Sequence, residues 1–271
     1  MPLQAHEDTL CGLYETYNRR EFVHPDPLEF LYDYDDVLDR EIVGLVASSL
    51  AYGHVLQILK SVRRVLDRME SPRRFLENSS RASLIGTFGD FKHRFTTGAE
   101  LAELLYAVKR VAQQHGSLGS CFSKGLEESH ETIIPALSGF VAELAGEFET
   151  KPRSLLPSPR AGSACKRLNL FLRWMVRKDA VDPGGWDKVP ASKLIMPLDV
   201  HVHRISLKLG LTTRKQADLR AACEITDAFR RIEPQDPVRY DFCLSRLGIR
   251  DDLDPEQFLR ACGANTGRTF S

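Results

Sequence analysis

The sequence predicts an all-α protein, and three observations carry that expectation. Apolar residues recur at three- and four-residue spacing along most of the chain. No segment alternates apolar and polar residues as a half-buried strand does, and there is no internal repeat. The glycine-rich phosphate loops that join strand to helix in nucleotide-binding α/β folds are absent. With 271 residues, 42% of them hydrophobic and 27% charged, the chain can bury a sizeable core. Length alone allows one large domain or two small ones.

Taken in order, Leu10, Leu13, Tyr14 and Tyr17 mark an amphipathic helix over residues 7–19, ended by Pro25 and Pro27. Asp26, Glu29, Asp33, Asp35, Asp36, Asp39 and Glu41 follow, with Arg40 alone against them. They lack the glycine and distal glutamate of an EF-hand loop, so an acidic lead-in to the next helix explains them better than a metal site. Ile42, Leu45, Val46 and Leu50, then Val55, Ile58, Leu59, Val62, Val65, Leu66 and Met69, predict two helices joined by a tight turn at Ala51-Tyr52-Gly53. Residues 81–95 read as irregular, with Phe88, Phe91 and Phe95 packed inside. Leu101, Leu104, Leu105, Val108, Val111 and Ala112 mark a strong helix stopped near Gly116 and Gly119. Ile133, Leu137, Phe140, Val141, Leu144 and Phe148 mark another, with Pro135 in its first turn.

A loop rich in Pro, Ser and basic residues, 151–162, leads to a helix whose apolar stripe is Leu168, Phe171, Leu172, Met175 and Val176. Its other face carries Lys166, Asn169, Arg173 and Arg177, expected on one exposed surface. After a turn-rich insert over 179–192, Pro197 suits the first turn of a helix led by Asp199 and closed at Gly210. Leu219, Ala222, Ile225, Phe229 and Ile232 mark the next helix. Asp236-Pro237 opens a last one bearing Tyr240, Cys243, Leu244 and Leu247, stopped by Gly248, and residues 263–271 are expected to fray.

Charge balance is zero, 37 basic against 37 acidic residues, yet the distribution is uneven. From Lys151 to Lys178 the bases are Lys151, Arg153, Arg160, Lys166, Arg167, Arg173, Arg177 and Lys178, with no acid among them. A neutral total can thus hide a basic face suited to a polyanion. The six cysteines form no C-x-x-C pair, which argues against a zinc ribbon, an iron–sulfur cluster or a disulfide framework. No apolar run approaches the ~18 residues that span a bilayer, and the N-terminal residues have neither a basic nor an apolar leader region. A cytoplasmic protein without membrane contact is expected.

Two residues of the basic stretch and its sequel stand out. Lys166 lies near the start of a helix, and Asp199 is the sole carboxylate between Lys188 and Ala217. A lysine is a nucleophile only when deprotonated. If Ser163 caps the helix, the positive end of its dipole disfavours an ammonium in the first turn by roughly 0.3–1 kcal/mol, Arg167 adds like charge, and burial must supply the rest. A carboxylate at a helix N-cap accepts backbone N–H bonds and stays ionised. An amine and a carboxylate on a basic surface suit attack at a sugar C1′ of DNA, the carboxylate offsetting developing oxocarbenium charge. Alternatives are a DNA-binding module without catalysis, with Lys166, Arg167, Arg173 and Arg177 on phosphates, and a metal hydrolase on Asp199, His201 and His203. Helical residues two apart point to different sides, which disfavours the latter.

The run I-M-P-L-D-V-H-V-H-R-I-S-L-K-L-G from Ile195 to Gly210 resembles the V-D-T-H-x-x-R-V segment that bears the essential aspartate of helix-hairpin-helix DNA glycosylases of the endonuclease III type. The run G-S-A-C-K-R-L-N-L-F-L-R-W-M from Gly162 to Met175 is similar to the lysine-bearing second hairpin helix of the bifunctional members. The 33-residue step from Lys166 to Asp199 is nearer the archaeal 8-oxoguanine glycosylase branch, which has an insert there. L-P-S-P-R-A-G-S, from Leu156 to Ser163, stands in place of the hairpin signature L-P-G-V-G, and the four-cysteine cluster of endonuclease III is missing.

The resemblance implies a single domain in two helical lobes, residues 35–150 against 1–34 plus 151–262, with an active-site cleft between them. It implies a monomer, acting on damaged double-stranded DNA without a cofactor or metal, that excises an oxidised base, 8-oxoguanine for preference. Lys166 would form the Schiff base and Asp199 assist. Tyr52 and Gly53 fall where the superfamily often places a residue wedged into the duplex, and Asp241 falls near a helix lining the base pocket. Gly162, Ser163, Arg167, Arg173, His201 and Arg204 would lie on the DNA side.

Overall fold

The computed structural model describes residues 3–149, 155–250 and 253–263, with side chains from Glu7 onward. Lys151, Arg153 and the tail from residue 264 lie outside the described residues. The fold is all-α, as the periodicity predicts: the described residues form helices joined by turns and one long irregular insert between Val176 and Val200, and their one sheet is a two-stranded hairpin.

Helix α1 (Leu3–Tyr17) is followed by a 3-10 segment, Pro27–Asp33, and by α2 (Val37–Ser49). The acidic stretch between them serves these starts. Asp26 accepts from Leu28 N at 3.0 Å and Asp36 from Leu38 N at 2.8 Å, each capping the element that follows. Asp26 also pairs with Arg246, and Asp39 accepts from Arg73 N at 2.6 Å. Every residue of α2 from Glu41 to Ser49 is buried, so this helix is the spine of the core. It packs against α9 (Lys166–Val176), and Gly44 permits the close approach, since a Cβ there would stand 3.2 Å from the Phe171 ring.

After α3 (Val55–Leu66) come two short helices that the sequence pattern did not reveal, α4 (Pro72–Asn78) and α5 (Arg81–Phe88). The second corrects the irregular reading of residues 81–95. Ser80 opens it with a capping box shared with Ser83, in which serine replaces the usual Glu or Gln. The hairpin of β1 (Lys92–His93) and β2 (Thr96–Thr97) follows, with two residues per strand, too short for alternation to register. Phe88 and Phe91 are buried as expected. Phe95 is not: it sits in the two-residue hairpin turn and is 70% exposed.

Helix α6 (Gly98–His115) packs on α5 and on α7 (Leu118–Lys124) and α8 (Ile134–Gly146). Trp186, from the insert before α10 (Val200–Lys208), fills the space between these helices and α9. Its ring lies 5.6 Å from Phe122, 6.5 Å from Phe140 and 5.1 Å from Phe171. Helices α11 (Leu219–Arg230), α12 (Asp241–Ile249) and α13 (Pro255–Ala261) complete the fold, with α10 and α1 each packed against both α12 and α13.

Two expected boundaries move. Pro197 precedes the Asp199 N-cap in an extended, buried segment and is not in the first turn of α10. Gly248 lies inside α12, where a Cβ would come 2.6 Å from the Cβ of His201, so the glycine serves helix packing and not termination. All six cysteines are free thiols. No helix among the described residues is long and apolar enough to cross a membrane.

The buried Glu41 carboxylate joins α2 to α7 and to the insert. It accepts from Leu118 N at 2.7 Å, Gly119 N at 3.0 Å and Trp186 Nε1 at 3.0 Å. Glu41→Ala leaves two buried donors and one part-buried donor without an acceptor, and we expect a loss of roughly 3–5 kcal/mol in denaturant unfolding. An unchanged unfolding midpoint would show that the carboxylate does not hold these elements together.

Candidate active site

Lys166 is positioned by an unusual helix start. A 3-10 turn, Pro159–Ala161, ends at Gly162 with φ 77°. Ser163 Oγ accepts from Cys165 N at 3.1 Å, so Ser163 stabilises the bend but does not cap α9. The N-cap is Cys165, with φ 46° and ψ 39° and no side-chain cap. A left-handed non-glycine residue costs on the order of 1–2 kcal/mol, so its surroundings must hold it there. The Cys165 thiol contacts Pro157 O at 3.4 Å, and the buried Asn169 side chain donates to Ala164 O at 2.9 Å. Lys166 is therefore the first residue of α9, half-buried, directly after a strained and anchored junction.

Asp199 follows the buried segment 194–198, which is pinned where Met196 N donates to Thr226 Oγ1 at 3.0 Å. As expected for a helix leader, it is the N-cap of α10 and accepts from His201 N and Val202 N, both at 2.9 Å. One oxygen takes both bonds. The neighbouring histidines have other work. His203 is buried and its Nε2 donates to Arg214 O at 2.8 Å. His201 Nδ1 lies 3.4 Å from the Arg204 guanidinium, and its ring packs against Gly248. Among the described residues no three His, Cys, Asp or Glu side chains gather to hold a metal ion, so Asp199, His201 and His203 make no metal triad.

The polar face of α9 requires the main correction. Lys166, Asn169, Arg173 and Arg177 do share one face, but it points inward beyond the first residue. Arg173 is only 2% exposed and binds Asp182 and Asp241. Arg177, also buried, binds Asp179, Asp182 and Asp236. For both arginines burial works against the charge, but the carboxylates, Asp182 first, more than offset it and raise their pKa values above the ordinary one. Arg173 and Arg177 are thus structural cations and cannot serve as phosphate contacts in this fold.

Asp241, the first residue of α12, is where the separate parts meet. Its Oδ2 binds Arg173 while Oδ1 is buried without a hydrogen-bond partner. Burial pushes its carboxyl up to about 6 against the pull of Arg173; the charge of Asp199 raises it further and that of Lys166 lowers it. Asp241 therefore lies within electrostatic reach of both Lys166 and Asp199, although the three come from three different helix starts.

A second group flanks Lys166. The Arg167 guanidinium lies 5.0 Å over the Tyr52 ring and donates to Ser49 O at the end of α2, and burial lowers its pKa. Tyr52 is itself fastened: its hydroxyl donates to His93 O at 2.8 Å and lies 2.7 Å from Thr96 Oγ1. Gly53 has φ 100°, which an L side chain rarely adopts, and a Cβ there would displace the Arg94 side chain, 2.8 Å away at Cδ. Sequence reasoning missed this hairpin, and with it His93, Arg94 and Thr96. The one available signal was the polar K-H-R-F-T-T run with an aromatic at its centre.

Residues 26–250 match the family described as a protein of unknown function, DUF2400, and the chain belongs to that family. No curated protein and no solved structure gives a significant match to it.

The state of Asp241 sets a pH dependence. Its folded pKa of about 6 exceeds the unfolded value near 3.9, so the folded protein holds the extra proton and this carboxyl's contribution to stability is lost as pH rises between those values. The stability of wild type relative to Asp241→Asn is expected to fall by up to about 3 kcal/mol between pH 4 and pH 6, then level off. A difference that stays constant in urea melts across this range would show that Asp241 ionises as an ordinary aspartate.

Proposed function

We propose that the protein is a DNA N-glycosylase with associated AP lyase activity, acting through a Schiff base on Lys166 with Asp199 assisting. One observation carries the reading: an amine at the start of α9 and a carboxylate at the start of α10, 33 residues apart in sequence, come within electrostatic reach of the same buried carboxyl, that of Asp241. The likeness of both segments to the helix-hairpin-helix glycosylases supports it. The two-lobed arrangement with a cleft, a monomer in the cytoplasm, damaged duplex DNA as partner and 8-oxoguanine as the preferred base belong to the same reading.

The uncharged Lys166 amine adds to C1′ while the electron pair of the N-glycosidic bond leaves with the base, which takes a proton from the attacking nitrogen. Asp199, fixed by two backbone amides, offsets the positive charge that develops on the sugar. O4′ then departs with a proton from solvent, leaving an iminium at C1′. Loss of a C2′ proton expels the 3′ phosphate. Asp241, buried and within reach of both charges, would tune the pair rather than touch the base. Tyr52, Gly53, Gly162, Ser163, Arg167, His201 and Arg204 remain on the proposed DNA side; Arg173 positions Asp241 instead.

Inward-facing Arg173 and Arg177 weaken the alternative of a purely phosphate-binding module, because two of its four cations are spent on internal carboxylates. The metal-hydrolase alternative loses His203 to the Arg214 carbonyl.

Lys166→Gln should abolish both base release and the adduct trapped by borohydride. Asp199→Asn keeps the cap geometry and should slow base release by about 10²-fold or more with the fold preserved. Normal excision by folded Lys166→Gln protein would exclude the Schiff-base reading, and an adduct on another lysine would move the site.

Binding provides an independent test. The remaining exposed cations should make duplex affinity fall roughly tenfold or more between about 50 and 200 mM salt. Affinity that stays flat across that range, measured by fluorescence anisotropy, would remove the basic docking surface.

A further inference from the structure

The hairpin β1–β2 is built like a fixed support for an exposed tip. The strands pair Lys92 with Thr97 and His93 with Thr96, so Arg94 and Phe95 form a two-residue turn. Two-residue turns favour Asn and Gly because they demand positive φ, yet Arg94 occupies that conformation, at φ 51°. Below the turn the anchors His93, Ser61 and Thr96 are buried and Tyr52 is half-buried. His93 Nδ1 lies 2.9 Å from Ser61 Oγ and its Nε2 lies 3.1 Å from Tyr52 O, while Thr96 is fully buried against the Tyr52 hydroxyl.

Above that base the tip is apolar and cationic. Phe95 is 70% exposed, and Arg94 and Lys92 are also exposed. The Phe95 ring is parallel to that of Tyr52, 2° apart in plane and 6.3 Å between centroids, with the Arg94 guanidinium 5.4 Å from it. Tyr52 in turn carries Arg167, the residue next to Lys166. The hairpin tip therefore borders the candidate site through an unbroken series of ring and cation contacts.

We propose that Phe95, and not Tyr52, is the residue that enters the duplex and fills the stack vacated by an extruded base, with Arg94 and Lys92 on the flanking phosphates. Tyr52 cannot take that part without giving up two hydroxyl contacts, whereas the Phe95 ring is held by no hydrogen bond and stands largely exposed on an anchored turn. Base–aromatic stacking rewards such a ring whatever the sequence, and cations on either side match the charge of the backbone. The assignment rests on the reading of the protein as a base-excising enzyme.

The test uses the full chain and two 2-aminopurine-labelled duplexes, one intact and one with a single tetrahydrofuran abasic analogue, with base release from lesion-bearing duplex measured in parallel. Wild type should prefer the gapped duplex and perturb the fluorescence of 2-aminopurine next to the gap. Phe95→Ala should reduce that preference roughly tenfold and lose the fluorescence change, while Phe95→Trp retains both. Because the side chain is exposed, the thermal midpoint of each variant should match wild type, which separates loss of the ring from loss of the fold. Equal preference for the gapped duplex by Phe95→Ala and wild type overturns the assignment, as does a wild type that does not distinguish the two duplexes. Gap preference that depends on Phe95 in a protein releasing no base and forming no trapped adduct keeps the tip as a gap-recognising element and rejects the glycosylase reading alone.

Discussion

Two arginines buried on one helix hold the candidate site together. Arg173 and Arg177 bring together carboxylates from three places: Asp179 and Asp182 of the insert, Asp236 of the segment before α12, and Asp241 at its start. Buried charges are tolerated only when paired and hydrogen-bonded, and removing one partner leaves the other stranded at a cost of about 3–5 kcal/mol. The network thereby fixes the register of α9, the insert and α12 relative to one another. Lys166 and Arg173 are seven residues apart on α9, two turns along the same face. The same helix face that anchors Asp241 through Arg173 thus leads up to the lysine whose charge Asp241 senses.

Helix termini supply the remaining geometry, with opposite signs. Asp199 gains from its N-cap position, where amides and dipole favour a carboxylate. Lys166 occupies the first position of α9, where the dipole opposes an ammonium, and it follows a residue in left-handed conformation. Neither arrangement at Lys166 serves stability. A local choice that works against the fold, maintained by Asn169, the Cys165 thiol and the Ser163 hydroxyl, is the kind of feature that concentrates at functional sites.

The long helices were legible because each buries one stripe of apolar residues, and Leu101 to Ala112 or Leu219 to Ile232 can face the core in only one way. The short helices α4, α5, α7 and α13 were not, because seven or eight residues hold too few turns for a period to emerge. Lys166, Asn169, Arg173 and Arg177 share one face, as their spacing predicts, yet beyond Lys166 that face turns inward. Periodicity reports which residues share a side of a helix. It cannot report that both sides are buried when the acids that neutralise the polar side, Asp182 and Asp241, arrive from elsewhere in the chain. The basic stretch of the sequence is for the same reason less basic as a surface than as a string of letters.

Tyr52 ties the turn after α2 to the start of α9. The turn after α2 lies beside Arg167, the neighbour of Lys166, and the Arg167 guanidinium stands over the Tyr52 ring. What the turn contributes there is support. A tyrosine with its hydroxyl bonded to a neighbouring strand and its ring between an arginine and a phenylalanine has no freedom to leave its place. Its effect is to make the hairpin and the start of α9 a single unit, so that a load on the exposed tip at Phe95 is borne by the same contacts that orient Arg167. Movement at one would be felt at the other, so the exposed tip and the start of α9 are mechanically joined without any long-range change of fold.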